Sequence, residues 1–264
     1  MNTNITTQQF AETLNLSLDE LQEIVHNAPR LYGKIVKTKP DGNKRYIYPP
    51  QNRLKSVQRI LLNNILYKLP TPSCMGAGKG SSTKKVMIRH VDKKIVMRID
   101  LSNFFPNIKS KQVFKLLRDR GFRTDVASII TRLTTYRGGL PQGAPCSTQL
   151  AKLALTASVK HILKLFSFPV DITFWVDDIV VSGPNSIKNF KETIYSILTR
   201  NGFLVNENKT GIMSDQEEQS ALGIRVDRNR LEPDSKFMEK YAATDKSSEQ
   251  AKGMRIYMHN ITSP

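Results

Sequence analysis

Three aspartates in two apolar segments are the residues of this sequence whose type and spacing could do metal chemistry. Asp100 ends the apolar segment KIVMRID (94–100), and Asp177 and Asp178 lie within FWVDDIVV (174–181). Magnesium prefers oxygen ligands, usually carboxylates together with phosphate oxygens. Acids that converge at the ends of adjacent strands could hold two magnesium ions ~3.5–4 Å apart, the arrangement used in nucleotidyl transfer.

The setting of the Asp177-Asp178 pair leaves two interpretations open. Two adjacent acids among Val, Ile and Trp are unfavourable inside a strand unless the strand turns there or a cation compensates their charge. In one interpretation the pair belongs to a metal ligand set. In the other it forms a tight turn and faces water.

Apolar periodicity predicts the elements that would position these acids. Ser17 and Glu20 are spaced as a capping box, and the turn PDGN between YGKIVKTK and KRYIYPP predicts a basic hairpin. Strands are predicted at 94–100, from 171 through the acid pair into IVVSG, at 203–205, and as a hairpin around 221–232. Helices are predicted at 51–69, 109–120, 124–134, 147–166 and 187–201. The pattern is that of a mixed α+β protein.

The charge of the chain predicts a polyanionic partner. Forty Lys and Arg against twenty-three Asp and Glu give a net charge of +17, spread along the whole sequence. Neutralised phosphates release counterions, so such an excess favours nucleic acid. A generically positive surface is the alternative, and charge alone does not separate an enzyme from a passive binder.

Other classes of site are disfavoured by the sequence. The two cysteines lack a CxxC spacing and the four histidines are scattered, which argues against a disulfide framework and a zinc site. The glycine-rich segment GAGKG (76–80) lacks the P-loop spacing and predicts flexible backbone. With no secretory leader and no apolar run long enough to cross a bilayer, we expect a cytoplasmic protein that contacts no membrane.

Several segments, in a fixed order along nearly the whole chain, resemble the motifs of bacterial reverse transcriptases, nearest to the retron and group II intron branch. Residues 10–61 are similar to the opening helix, basic hairpin and following helix of that family. The other matching segments are MGAGKGSS (75–82), RIDLSNFFPNI (98–108), GLPQGAPCST (139–148), FWVDD (174–178), NENKTGI (206–212) and ALGIRV (221–226).

Three segments depart from the retron pattern. Trp175 stands where the Asp-Asp box usually has Tyr, Val86-Met87 replace the Asn-Ala that precedes His90, and Ala221-Leu222-Gly223 replace Val-Thr-Gly. A retron enzyme and a defence-associated relative therefore both fit the resemblance.

The resemblance implies a right-hand polymerase with an antiparallel palm sheet. We expect the fingers at 1–75 and 109–138, the palm at 76–108 and 139–226, and a short thumb at 227–264.

The same resemblance implies two Mg²⁺ ions, for which Mn²⁺ could substitute. Asp100, Asp177 and Asp178 would supply carboxylates to these ions, and Leu101 its carbonyl. Lys209, in NENKTG, has the place of a lysine that protonates the leaving group. A surface lysine is the alternative for that position.

Two further motifs imply contacts to the incoming nucleotide. Phe105, five residues after Asp100, has the place of a steric gate that excludes a 2′-hydroxyl. Either Phe104 or Phe105 could instead fill the core, and Phe104 is preferred for that role. Gln142 lies in a loop fixed by glycines and prolines, where it would hydrogen-bond the nucleotide or the template backbone.

Basic residues complete the implied site. Arg45, together with Lys39 and Lys44, lies on the hairpin that would close over the triphosphate and neutralise its charge; a solvated basic turn is the alternative. On the following helix, the template side would be lined by Arg53, Lys55 and Arg59, unless these form an ordinary solvated face.

The expected function is RNA-directed DNA synthesis with a structured non-coding RNA as template, dNTPs as substrates and DNA as product, in a retron or anti-phage defence system. Three alternatives remain. They are RNA-dependent RNA synthesis, template-independent or protein-primed DNA synthesis, and a catalytically silent RNA-binding scaffold for an effector or toxin protein.

Overall fold

A computed structural model describes residues 3–38, 42–78, 80–227 and 230–263. The chain divides into two compact units. The first consists of residues 1–72 and 103–157, and the second of residues 73–102 and 158–264.

The first unit is mainly helical. Its only strands in the described ranges form an antiparallel hairpin, β1 (Ile35–Thr38) with β2 (Lys44–Ile47), in which Lys37 lies opposite Arg45. The helices are α1 (Thr7–Thr13), α2 (Leu18–Asn27), α3 (Asn52–Asn64), α5 (Phe104–Asn107), α6 (Ser110–Arg118), α7 (Thr124–Thr134) and α8 (Ser147–Leu163), which ends in the second unit.

Helix α7 is the centre of the first unit's core. It packs against α1, α2, α3 and α6. Its apolar face, including Val126 and Ile130, is fully buried, as are Phe10, Leu54 and Phe122 around it. Burial of large apolar side chains stabilises such a core by about 1.5–3 kcal/mol each, and the apolar periodicity that this burial requires predicted α3, α6 and α7.

The second unit is built on an antiparallel sheet. The strands are β3 (Ile95–Ser102), β4 (Asp171–Trp175), β5 (Asp178–Gly183), β6 (Leu204–Val205), β7 (Gly211–Ser214), β8 (Ser220–Ala221), β9 (Ile224–Val226) and β10 (Leu231–Pro233). The order in the main sheet is β4-β5-β3-β6, and β7 also pairs with β3. A separate three-stranded sheet has the order β10-β9-β8. The helices are α4 (Thr83–Met87), α9 (Lys191–Arg200), α10 (Ser235–Ala242) and α11 (Glu249–Thr262).

The core of the second unit joins its two sheets. Val96 on β3 and Val180 on β5 pack in one buried cluster with Ile224 on β9, Met87 on α4 and Ile261 on α11. The sequences of β3 and β5 are nearly continuous apolar runs, as expected for strands that are buried on both faces. The core therefore fixes the positions of the two strands that contain Asp100 and Asp178.

Most predicted elements are confirmed, including the mixed α+β class with an antiparallel sheet and the capping box of Ser17 and Glu20 at the start of α2. The helix predicted at 51–69 ends at Asn64 and continues as a 3₁₀ turn, Leu66–Lys68. The helix predicted at 187–201 likewise has a 3₁₀ first part, Asn185–Phe190. The assignment of fingers, palm and thumb stays a prediction.

Within the ranges described, no helix combines the length and apolarity needed to span a membrane.

His90 is a buried polar link between two strands of the second unit. It is fully buried, with Nδ1 2.7 Å from Ser182 Oγ on β5 and Nε2 2.8 Å from Thr173 Oγ1 on β4. Burial lowers the pKa of His90 to about 4, an effect that Asp171 opposes and Lys93 and Arg89 reinforce. The ring is therefore neutral at pH 7 and both of its nitrogens have hydroxyl partners.

We expect His90→Gln to remove a pH dependence of folding stability. The unfolded chain takes up a proton near the ordinary pKa of about 6.5 and the folded protein only near 4, so the wild type loses stability as pH falls between these values. The loss between pH 7 and pH 5 should be about 2 kcal/mol, since each pKa unit corresponds to 1.36 kcal/mol. Urea denaturation at both pH values measures it. The matched control is His161→Gln, because His161 is exposed on α8. Equal losses in wild type and His90→Gln would contradict the assignment.

Candidate active site

The register of the central sheet brings the predicted acids together. Asp100, near the end of β3, lies directly opposite Asp178, the first residue of β5. The next residue, Leu101, donates its backbone N–H to the Asp177 carbonyl at 2.9 Å. The acids are 77 residues apart in the sequence (100 to 177). The pairing of β3 with β5 nevertheless places the three carboxylates together at one end of these two inner strands.

The Asp-Asp pair lies at a tight turn. Trp175 at the end of β4 pairs with Asp178, so only Val176 and Asp177 connect the strands. Val176 has a φ of 57°, which is an outlier for a β-branched residue. A conformation of this kind costs about 1–3 kcal/mol. The strand does turn at the acids, as one interpretation required, yet both acids are half-buried rather than fully exposed.

Gly76 packs against the strand that leads into this turn. Its N–H donates to the Phe174 carbonyl at 2.8 Å, and a Cβ at this position would lie 2.5 Å from Trp175 Cε3. The first glycine of GAGKG is therefore needed for close contact with Trp175, and the prediction of merely flexible backbone was wrong at that residue.

The ionisation of Asp178 depends on its burial and on the charges around it. The pKa of Asp178 is raised to about 6, mainly by burial and also by the nearby charges of Asp177 and Asp100. Arg98 and Lys209 act in the opposite direction. Arg98 is the partner of Asp178 in the structure, with Nε 3.6 Å from Oδ1. The site is therefore an accumulation of negative charge that Arg98 and, to a smaller extent, Lys209 balance in part.

Two residues that bind Asp100 were missed by the sequence analysis. Asn206 donates its backbone N–H to the Asp100 carbonyl at 2.8 Å and its side-chain amide to Asp100 Oδ1 at 2.9 Å. Thr210 Oγ1 accepts the backbone N–H of Asp100 at 3.3 Å. Only Lys209 was singled out in that segment. No local pattern in the sequence indicates these contacts, because Asn206 and Thr210 lie more than 100 positions from Asp100.

The side chains are not arranged as a metal ligand set. Among the residues that the structure describes, no group of three or more His, Cys, Asp or Glu side chains is placed to hold a metal ion. Asp178 is turned toward Arg98. The backbone register and the all-oxygen donor chemistry nevertheless fit a hard divalent cation.

In the first unit, Phe104 and Phe105 have different environments. Phe104 is 5% exposed and Phe105 is half-buried, with their ring centroids 5.4 Å apart. This difference agrees with the preference for Phe104 as the core residue.

Gln142 is attached to the hairpin through its backbone. Its carbonyl accepts the N–H of Tyr48 at 2.8 Å. Next to it, Gly143 has a φ of 96°, and a Cβ there would lie 2.5 Å from Ile47 Cγ2. Arg137 lies over the ring of Tyr48, 5.7 Å from its centroid. The loop that contains Gln142 is thus fixed against the strand that contains Arg45.

The predicted basic residues are all exposed where the structure describes them. Lys44 and Arg45 lie on β2, whereas Lys39 lies outside the described residues. On α3, Lys55 and Arg59 are exposed. Arg53 is also exposed but is paired with Glu20, and with Glu23 at 3.7 Å. The acids on α2 therefore compete with any phosphate for Arg53 more than for its two neighbours.

The three acids lie at one end of the inner strands of an antiparallel sheet, and one of them is in a two-residue turn. Sites of this class are found in palm-type polymerases. Residues 37–226 match the family model described as "Reverse transcriptase (RNA-dependent DNA polymerase)". The chain belongs to this family of RNA-directed DNA polymerases, and the predicted enzyme class is confirmed.

Curated relatives confirm the resemblance to retron enzymes. The chain is 27% identical to the retron Ec86 reverse transcriptase of Escherichia coli over 84% of this chain and 71% of that protein. It is 26% identical to the retron Mx65 reverse transcriptase of Myxococcus xanthus over 84% of this chain, and 26% identical to the retron Se72 reverse transcriptase of Salmonella heidelberg over 80%. It spans only 58% of each of the last two proteins.

Solved structures agree on the fold. Telomerase from Candida albicans aligns with a TM-score of 0.57 at 11% identity, over 77% of this chain and 46% of that chain. The foamy viral protease-reverse transcriptase aligns with a TM-score of 0.50 at 20% identity, over 97% of this chain and 49% of that chain. The right-hand polymerase class predicted from the motifs is confirmed.

Proposed function

We propose that this chain copies RNA into DNA by two-metal-ion nucleotidyl transfer, with Asp100, Asp177 and Asp178 as the metal-binding acids. The observation that supports this most directly is the pairing of Asp100 with Asp178 on adjacent strands, beside the turn that contains Asp177. Three converging acids have no evident structural purpose, because like charges in a half-buried site destabilise the fold.

The residues fit magnesium as the divalent ion. The carboxylate oxygens of the three acids and the Leu101 carbonyl would supply an all-oxygen donor set. When bound, such ions supply Lewis-acid activation of the primer 3′-hydroxyl and stabilise charge on the triphosphate. The chain's own part is to hold the acids on two strands that the buried core keeps in register.

Other residues would act on the nucleotide and the template. Phe105 would exclude the 2′-hydroxyl, and Gln142 would hydrogen-bond the nucleotide. Arg45, with Lys44 and Lys39, would neutralise the triphosphate, and Lys209 would protonate the leaving pyrophosphate. Lys209 is exposed and its charge lowers the pKa of Asp178, which supports a place near the acids.

The biological setting is part of the same proposal. The retron relatives support a bacterial retron or defence system, with a structured non-coding RNA as template, DNA as product and an effector or toxin protein as partner. A net charge of +17 favours the nucleic acid contacts. A cytoplasmic location accords with Cys74 and Cys146, both of which are free thiols.

One incorporation assay tests the activity. The purified chain is given an RNA template with a DNA primer, each dNTP or NTP, and Mg²⁺, Mn²⁺ or a chelator. We expect primer extension that needs the divalent ion, follows the template sequence and prefers dNTPs. Extension without a template would favour the template-independent alternative, and no incorporation with either metal would favour the silent scaffold. Sequencing the nucleic acid that copurifies with the chain identifies template and product.

A further inference from the structure

Asp100 is held by the loop from Asn206 to Thr210 at its backbone and at its side chain. The backbone contacts of Asn206 and Thr210 fix the end of β3, whereas the Asn206 amide is bonded to Oδ1 of the carboxylate itself. Asn206 is half-buried, which limits the motion of its short side chain. The amide is neutral, so this contact orients the carboxylate without adding a charge that would compete with a cation.

We propose that Asn206 is a positioning residue that fixes the carboxylate of Asp100 in the orientation that binds a divalent ion. The inference rests on the proposed function, because it assigns a partner to one of the proposed metal-binding acids. Groups that hydrogen-bond a metal-binding side chain set its orientation, and their loss typically costs 10–100-fold in metal affinity or activity.

The side chain of Asn206 can be removed without dismantling the loop. The backbone bond from Asn206 to the Asp100 carbonyl does not depend on the side chain. Thr210 also holds the loop independently, since its hydroxyl donates to the Asn206 carbonyl at 3.0 Å. The Asn206 amide therefore affects the orientation of the Asp100 carboxylate more than the conformation of the loop. The Asn206→Ala protein should fold.

The test compares Asn206→Ala with Asn208→Ala, a matched change at an exposed residue of the same loop. Mn²⁺ binding to the chain without nucleic acid is measured by electron paramagnetic resonance, and the Mg²⁺ dependence of primer extension by titration. For Asn206→Ala we expect about tenfold weaker Mn²⁺ binding and about tenfold higher half-saturating Mg²⁺. The KM for dNTP and the melting temperature should stay close to those of the wild type. Asn208→Ala should match the wild type throughout.

A second variant keeps the proposal testable if the alanine protein does not fold. Asn206→Asp has the same shape and keeps the backbone bond, but it replaces the donor with a second carboxylate beside Asp100 Oδ1. We expect a larger loss of primer extension than about tenfold, because the two carboxylates repel each other. Wild-type extension by Asn206→Asp, or wild-type Mn²⁺ binding by a folded Asn206→Ala, would overturn the role of Asn206.

Different outcomes contradict the proposed function and the role of Asn206. If the wild type neither binds Mn²⁺ nor extends a primer, the proposed function is wrong, and so is the role of Asn206. If the wild type does both and Asn206→Ala equals Asn208→Ala, only the positioning role is wrong.

Discussion

The Asp177→Asn protein should fold and bind nucleic acid but lose about a thousandfold or more of its DNA synthesis. The substitution keeps the shape of the side chain and the backbone bond from Leu101 to the residue 177 carbonyl, while it removes one negative oxygen from the proposed ligand set. Lewis-acid stabilisation is worth several kcal/mol, and each 1.36 kcal/mol is tenfold in rate. Single-turnover primer extension at saturating Mg²⁺ measures the loss.

The same substitution should leave the melting temperature at least as high as that of the wild type. Asp177 raises the pKa of Asp178, so the two charges repel each other in the folded protein. Loss of function without loss of stability separates a metal-binding acid from a structural one. Asp171→Asn on β4 is the matched control, because Asp171 pairs with Lys93 at 2.7 Å and its removal should leave synthesis within about threefold. Substantial synthesis by folded Asp177→Asn would remove the metal assignment.

The sequence predicted the meeting of Asp100 with Asp178, because both lie in apolar segments that match motifs of one family. The single strand predicted from 171 through the acid pair was wrong, since the structure has two strands there, β4 and β5, joined by a tight turn. Apolar periodicity also gave α7 its observed bounds, Thr124–Thr134. The strand and helix assignments depend on patterns within a few residues of one another. The pairing of Arg98 with Asp178 was missed, although a local signal existed: residues 98 and 100 are two apart on a strand and so share a face.

The contacts of Asn206 and the geometry of Val176 could not be read from local patterns. Asn206 binds a residue 106 positions away in the sequence, through a loop whose conformation no periodicity predicts. Val176 adopts a positive φ despite a side chain that disfavours it, so its own residue type argues against the observed turn. Such violations of local preference are expected at functional sites, where the surrounding fold holds them in place.

The Phe105→Val protein should accept ribonucleotides about tenfold or more efficiently relative to deoxyribonucleotides. Phe105 is half-buried. In its proposed role the ring would lie beneath the sugar and leave no room for a 2′-hydroxyl, the group that distinguishes the two substrates. Pocket contacts of this size discriminate by roughly 10–200-fold, so the smaller valine should relax selection against CTP with little change toward dCTP. The ratio of kcat/KM for the two nucleotides on one RNA template measures the effect.

Phe104→Leu separates this role from general packing. Phe104 is 5% exposed, and its ring centroid lies 5.4 Å from that of Phe105, so shortening it should lower the melting temperature while the nucleotide ratio stays unchanged. If Phe105→Val leaves the ratio at its wild-type value, the ring is not a gate and the selection of dNTPs needs another source. If the wild type already uses CTP as well as dCTP, the RNA-dependent RNA polymerase alternative becomes the better account of this site.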